Sequence, residues 1–165
     1  MIDAGRLFYG QVENIIARML YIPDELRPAL RDRLRHLRKM GVPELPSVGS
    51  GGRVLYTYEQ TLEMLVAISM ISLGQDPGRA KSLAKAAASG PILETLQRRP
   101  QARLYLHLVL NQVAGRPLAY IADADMTMDP TNKVLPFPIG ATAIVLNSMI
   151  LENLRHEMKK EQTLA

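Results

Sequence analysis

Between Arg27 and Lys39 the chain places six cations, Arg27, Arg31, Arg33, Arg35, Arg38 and Lys39, against one carboxylate, Asp32. That segment carries a formal +5, six minus one, whereas the whole 165-residue chain carries +4. Positive charge is therefore concentrated in one place. Guanidinium groups at helical spacing suit two tasks: pairing with phosphate oxygens, and reading a guanine edge through two parallel N–H donors. The bland alternative is an ordinary solvated helix face. Leu30, Leu34 and Leu37 recur at helical intervals and predict the buried stripe of that helix. Arg31, Arg35 and Arg38 fall, with Arg27, on a neighbouring face.

A second cationic candidate follows. Gly49, Gly51 and Gly52 supply a turn, and the run from Arg53 to Tyr58 is rich in strand-forming residues, so a hairpin is expected over ~48–58. Arg53, carried on that turn, can reach a nucleic-acid backbone. The hydroxyls of Tyr56 and Tyr58 can donate to phosphates. Core packing is an equal reading for one of them.

Other chemistry finds little support. The chain has no cysteine, hence no disulfide or thiolate nucleophile. Asp123, Asp125 and Asp129 are spaced like the start of a calcium loop. The glycine such a loop needs is missing, and Val134 stands where its ligating glutamate belongs, so a structural turn is expected. His36, His107 and His156 show no metal-ligand spacing. No phosphate-cradling loop, nucleophile elbow or paired-carboxylate motif stands out. Neither a metal, a cofactor nor an enzymatic activity is expected.

The elements that must hold these residues read as follows. Phe8 to Leu20 is helical, with Val12, Ile15, Ile16, Met19 and Leu20 on one side. Pro23 ends it, and Asp24 caps the cationic helix, over ~24–40, which Gly41 and Pro43 close. Thr57 caps a helix from Tyr58 to Leu73, stopped by Gly74. Asp76 and Pro77 open another, with Ala80, Leu83, Ala84 and Ala87 as its packing face. Gly90-Pro91 is the expected boundary. Beyond it, Pro91 to Arg99 reads as a short helix. The alternating leucines 104, 106, 108 and 110 read as a strand, returned by Leu118 to Ala122 after a turn at Ala114–Pro117. Asp129–Asn132 is a further turn, Lys133 to Pro138 a possible third strand, and ~141–160 a long helix with Ile144, Leu151, Leu154 and Met158 on its stripe.

Hydrophobic residues make up 47% and charged residues 22%, which excludes a disordered chain and leaves room for one core or two small domains. No apolar run approaches the ~18–20 residues of a membrane span, and Met1 to Arg6 has no signal-peptide pattern, so a cytoplasmic protein is expected.

Leu34-Arg35-His36-Leu37, Gly41, Val42-Pro43, the Gly51-Gly52-Arg53 turn, Tyr56, and Ile71-Ser72-Leu73-Gly74 leading to Ala80 together resemble the MerR family of bacterial transcription regulators over residues ~11–88. His36 and Leu37 replace the family's usual aromatics. Arg53 stands three residues before Tyr56, where the family has two. Gly90, Pro91 and Pro100 interrupt the region of the family's long dimerising helix. The resemblance implies a winged helix-turn-helix that binds double-stranded DNA, with ~24–40 in the major groove and ~48–58 as the wing.

The expected fold is therefore α+β: a mainly helical winged domain over 1–90, then a small α/β domain over 91–165. The latter would hold a hairpin or three-stranded sheet plus the long last helix, and would make a homodimer. The DNA contacts expected are Arg27, Arg31, Arg33, Arg35, Arg38, Lys39, Arg53, Tyr56 and Tyr58. The alternative is a protein–protein adaptor, or an architectural, excisionase-like binder with little base readout. No effector is legible.

Overall fold

The structure, a computed structural model, describes residues 6–45, 54–99, 102–108, 118–123 and 142–164. Among these residues there are six helices. Helix α1, Tyr9–Met19, buries Val12, Ile15, Ile16 and Ala17, the side its periodicity predicts. A single 3-10 turn, Asp24–Leu26, leads into α2, Arg27–Lys39, whose Pro28 lies in the first turn where no amide partner is needed. Leu30, Leu34 and Leu37 are its buried residues.

Helix α3, Tyr58–Ser72, is the centre of the core and is apolar around most of its girth. Its start is a reciprocal cap: the Gln60 amide donates to Thr57 Oγ1 at 3.3 Å, and the Thr57 amide donates to Gln60 Oε1 at 2.9 Å. Helix α4, Pro77–Ala87, begins at Asp76, whose Oδ1 accepts the Gly78 and Arg79 amides at 2.9 and 3.2 Å. Helices α1 and α2, α2 and α3, and α3 and α4 pack in sequence. Helix α5 spans Gly90–Arg98 and α6 spans Ser148–Thr163.

Three helix ends are built alike. After α1, the Tyr21 amide donates to the Arg18 carbonyl (3.1 Å) and the Ile22 amide to Ala17 (2.8 Å). After α2, Gly41 donates to Arg38 and Val42 to Leu37, both at 3.0 Å. After α3, Gly74 donates to Ile71 (2.9 Å) and Gln75 to Met70 (3.1 Å). This pair of bonds requires a left-handed residue just past the helix. Gly41 and Gly74 supply it at φ 77° and 80°, and Tyr21 at φ 52°.

The chain divides into two compact units, Met1–Ala88 with Glu152–Ala165, and Ser89–Leu151. The division falls beside the expected Gly90-Pro91 boundary, but most of α6 belongs to the first unit. There Arg18 bridges two α6 carboxylates: its Nε donates to Glu157, and its Nη1 lies 2.7 Å from Glu161 Oε1. Gln11 Nε2 donates to the Glu161 carbonyl at 2.9 Å. The Arg155 guanidinium stands 5.2 Å from the Tyr58 ring centre, and Leu154 and Met158 are buried.

These facts correct the α+β expectation. Among the described residues the chain is mostly helical, and every core side chain described lies in a helix or a connection beside one. Short backbone segments do pair antiparallel in the second unit: Ala102–Leu108 (β1) lies between Leu118–Asp123 (β2) and Thr142–Asn147 (β3). They do not make the small α/β domain expected, because its cover, the last helix, packs from Glu152 onward with the first unit. That helix also starts later than its pattern predicts, since Ile144 lies in β3. The wing hairpin is not formed by its described residues either. Tyr56 makes an isolated bridge with Leu7 (3.0 and 2.8 Å), and Tyr58 already begins α3. Residues 46–53, with Arg53, the turn at Asp129–Asn132 and the strand at Lys133–Pro138 lie outside the described residues.

Candidate nucleic-acid interface

Helix α2 gathers the expected cations on one element, and the structure sorts them into two groups. Arg31 turns toward α1: its Nε lies 3.0 Å from both oxygens of Glu13, and its Nη2 lies 2.8 Å from Oε1. Glu13 is only 4% exposed, so this guanidinium is the partner that lets a carboxylate sit in the core edge. Arg27 pairs with Asp24 at 2.8 Å and donates to Asn14 Oδ1 at 3.1 Å. Arg38 is half-buried, its guanidinium carbon 4.8 Å from the Tyr9 ring centre and 5.9 Å from that of Tyr56. All three are engaged in holding α2 to the unit.

The second group faces outward. Arg33, Arg35 and Lys39 are exposed, as is His36. Arg35 reaches Asp32 at 3.4 Å with both side chains well solvated, a contact of little strength. Arg33 and Lys39 have no ion pair among the described residues. At 3.6 residues per turn, Arg35 and Lys39 stack on adjacent turns, and Arg33 flanks His36 on its other side. Glu13 and Asp24 pair with Arg31 and Arg27, and Asp32 makes only the weak, solvated contact with Arg35.

The far end of α2 is also anchored. Lys81 Nζ donates to the Met40 carbonyl at 2.7 Å, placing a cation where the helix dipole favours one. Beside it, Lys85 pairs with Glu44 at 3.0 Å, and that hydrogen bond holds the Glu44 carboxyl below its ordinary range.

The two tyrosines do not reach solvent. Tyr56 is 0% exposed, and burial raises its phenol above the ordinary value. Its hydroxyl and the Arg38 Nε are buried without a hydrogen-bond partner among the described residues. Tyr58 is 6% exposed, and burial pushes its phenol up to about 12 against the opposing pull of Arg155. Neither phenol can touch a phosphate in this packing. Of the expected set, Arg33, Arg35 and Lys39 are exposed without a strong partner, and Arg31 is exposed too but paired with Glu13. Arg27, Arg31 and Arg38 serve as anchors, and Tyr56 and Tyr58 as core.

Glu13 and Tyr21 were missed by the reading of the sequence. Glu13 had a signal: it adjoins Val12 on the apolar side of α1, where a carboxylate requires a cationic partner. Tyr21 had one too, since α1 ends before Pro23 with no glycine in between.

No family model matches the chain, and no curated protein matches it. Among the described residues no group of three His, Asp or Glu side chains is placed to hold a metal ion, and no helix is long and apolar enough to cross a membrane.

Proposed function

We propose that the helical unit binds double-stranded DNA by laying the outer face of α2 along the major groove, as part of a MerR-like transcriptional regulator. One observation carries this reading: a helix fixed to its unit by Arg27, Arg31 and Lys81 presents Arg33, Arg35 and Lys39 to solvent. Anchoring matters because base readout needs a donor held in register, not a mobile cation. Arg35 is the base-reading candidate; Lys39 and Arg33 are phosphate contacts. Arg53, by resemblance, belongs to the same interface. Two-fold pairing through residues 91–165 goes with the reading and predicts an inverted repeat in the bound site. So does a cytoplasmic location.

The test is selection of bound sequences from random duplexes, followed by titration of the enriched duplex over a salt series. The expected result is a steep loss of affinity with salt and a clear preference for one sequence. Arg35→Ala should weaken the enriched duplex by about 1–3 kcal/mol, and Lys39→Ala should weaken all duplexes alike and flatten the salt slope by about one contact. No enrichment, or an Arg35→Ala/Lys39→Ala protein that binds as the parent does, removes this function.

A further inference from the structure

One carboxylate stands among the six cations of α2, and the structure places it on the outermost line of the helix. Asp32 is two residues from Leu30 and two from Leu34, both buried, so at 3.6 residues per turn it lies about 160° around the helix from each. Its side chain is 76% exposed. Arg35 and His36 lie to either side of it one turn on, and Lys39, two turns on, comes back to within about 20° of it. All three are exposed. Whatever meets Arg35 and Lys39 from outside therefore meets Asp32 as well.

Local structure does not explain this residue. Asp32 lies past the first turn of α2, to which the helix dipole's preference for a carboxylate is confined. Its ion pair with Arg35 is 3.4 Å long and joins Nη1 to Oδ1 between solvated groups, a contact that contributes little. Its Oδ2 has no partner among the described residues. On a helix that had only to hold phosphates, a carboxylate in this position is a repulsive element. Repulsion of that kind serves discrimination between partners, at the expense of affinity for all of them.

The chemistry of the groove says which partner is spared. A carboxylate accepts hydrogen bonds and donates none. In the major groove the cytosine edge offers an amino donor, N4, whereas guanine N7 and O6 and thymine O4 are acceptors; adenine sets its N6 donor beside an N7 acceptor. The rise from Asp32 to Arg35 is about 4.5 Å, comparable with the ~3.4 Å between stacked bases. We propose that Asp32 is a specificity-determining residue of the α2 interface, accepting from the N4 amino group of a cytosine in the base pair next to the guanine that Arg35 reads. The proposal rests on the DNA-binding reading of α2 and adds to it the identity of one base pair. The loose contact with Arg35 suits the role. It keeps the two side chains side by side and leaves Oδ2 and most of the guanidinium for the bases.

The experiment selects bound sequences from a pool of random duplexes with the full chain, as parent, Asp32→Ala, Asp32→Asn and Arg35→Ala. Each protein is then titrated against the parent's enriched duplex and its single-base variants. The parent should enrich a cytosine beside the guanine that Arg35→Ala ceases to select. Asp32→Ala should lose about tenfold of the discrimination at that cytosine, keep the preference for guanine, and bind duplexes of unrelated sequence more tightly than the parent. Asp32→Asn, which gains a donor, should admit adenine at the same position. A parent that enriches no sequence removes the DNA-binding reading and this proposal together. An enriched site at which Asp32→Ala keeps every base preference removes this proposal alone. So does an Asp32→Ala protein that loses only the guanine, with no further effect in an Arg35→Ala background, which would make Asp32 a positioning residue for Arg35.

Discussion

Neighbouring arginines of α2 are one residue type and do opposite things. Arg31 and Arg38 lie within or beside the packed unit, one satisfying Glu13 and the other stacked near Tyr9 and Tyr56. Arg33 and Arg35 differ from them by only a few residues and extend into solvent. A count of cations cannot separate the two sets. What separates them is where the neighbouring helix places a carboxylate or an aromatic ring. The lesson is that some cations of a basic helix are spent on anchoring it, and only the others are available to a partner.

The sharpest way to break this comparison is at Tyr56, the most deeply buried of the expected contacts. Tyr56→Ala should destabilise the protein by about 3–5 kcal/mol, the loss expected when a large aromatic leaves a core. Tyr56→Phe should be neutral or stabilising, because the hydroxyl it removes has no hydrogen-bond partner among the described residues. Urea denaturation of the three proteins measures both. A destabilised phenylalanine variant would mean that the hydroxyl is satisfied within the core.

Tyr58 offers a test by pH. Its phenol is raised from 10.0 to about 12 in the folded protein, so the fold favours the protonated form. The sign follows: its contribution is complete below the unfolded value and is lost as pH rises from about 10 to about 12. The amount is on the order of 2–3 kcal/mol for a shift of this size. Tyr58→Phe should therefore resist alkaline unfolding better than the parent, with the stability difference changing across that window. A constant difference from pH 9 to 12 would place Tyr58 in solvent.

Tyr21 sharpens the comparison from outside the helix, as an exposed side chain whose backbone carries strain. Tyr21→Gly should stabilise the chain by about 1 kcal/mol, relieving the left-handed conformation. A loss of stability would show that the ring makes contacts within the unit.

The smallest effects belong to the presented cations themselves. Arg33→Ala, Arg35→Ala and Lys39→Ala should each alter stability by no more than about 0.5 kcal/mol. Arg31→Ala should lower Tm clearly below all three, because it leaves the buried Glu13 without its partner. If the four substitutions behave alike in a thermal melt, the distinction between anchoring and presented cations fails.

Local structure was largely legible in the sequence. The stripe Leu30, Leu34 and Leu37, the caps at Thr57 and Asp76, and the glycine stops at 41 and 74 depend on neighbours within a few residues, and a linear reading captures them. The concentration of charge in α2 is legible for the same reason. Three features were decided only by tertiary packing. Tyr56, expected at a strand face, bridges Leu7 from far along the chain and is swallowed by the core. The last helix, expected to cover strands, is drawn to α1 by Arg18 pairing with Glu157 and Glu161. And the division of the arginines depends on Glu13, a residue on another helix. The physical reason is common to all three. Periodicity says which side of an element is apolar, but pairing energies between distant groups decide what that side meets, and so which charges remain for a partner.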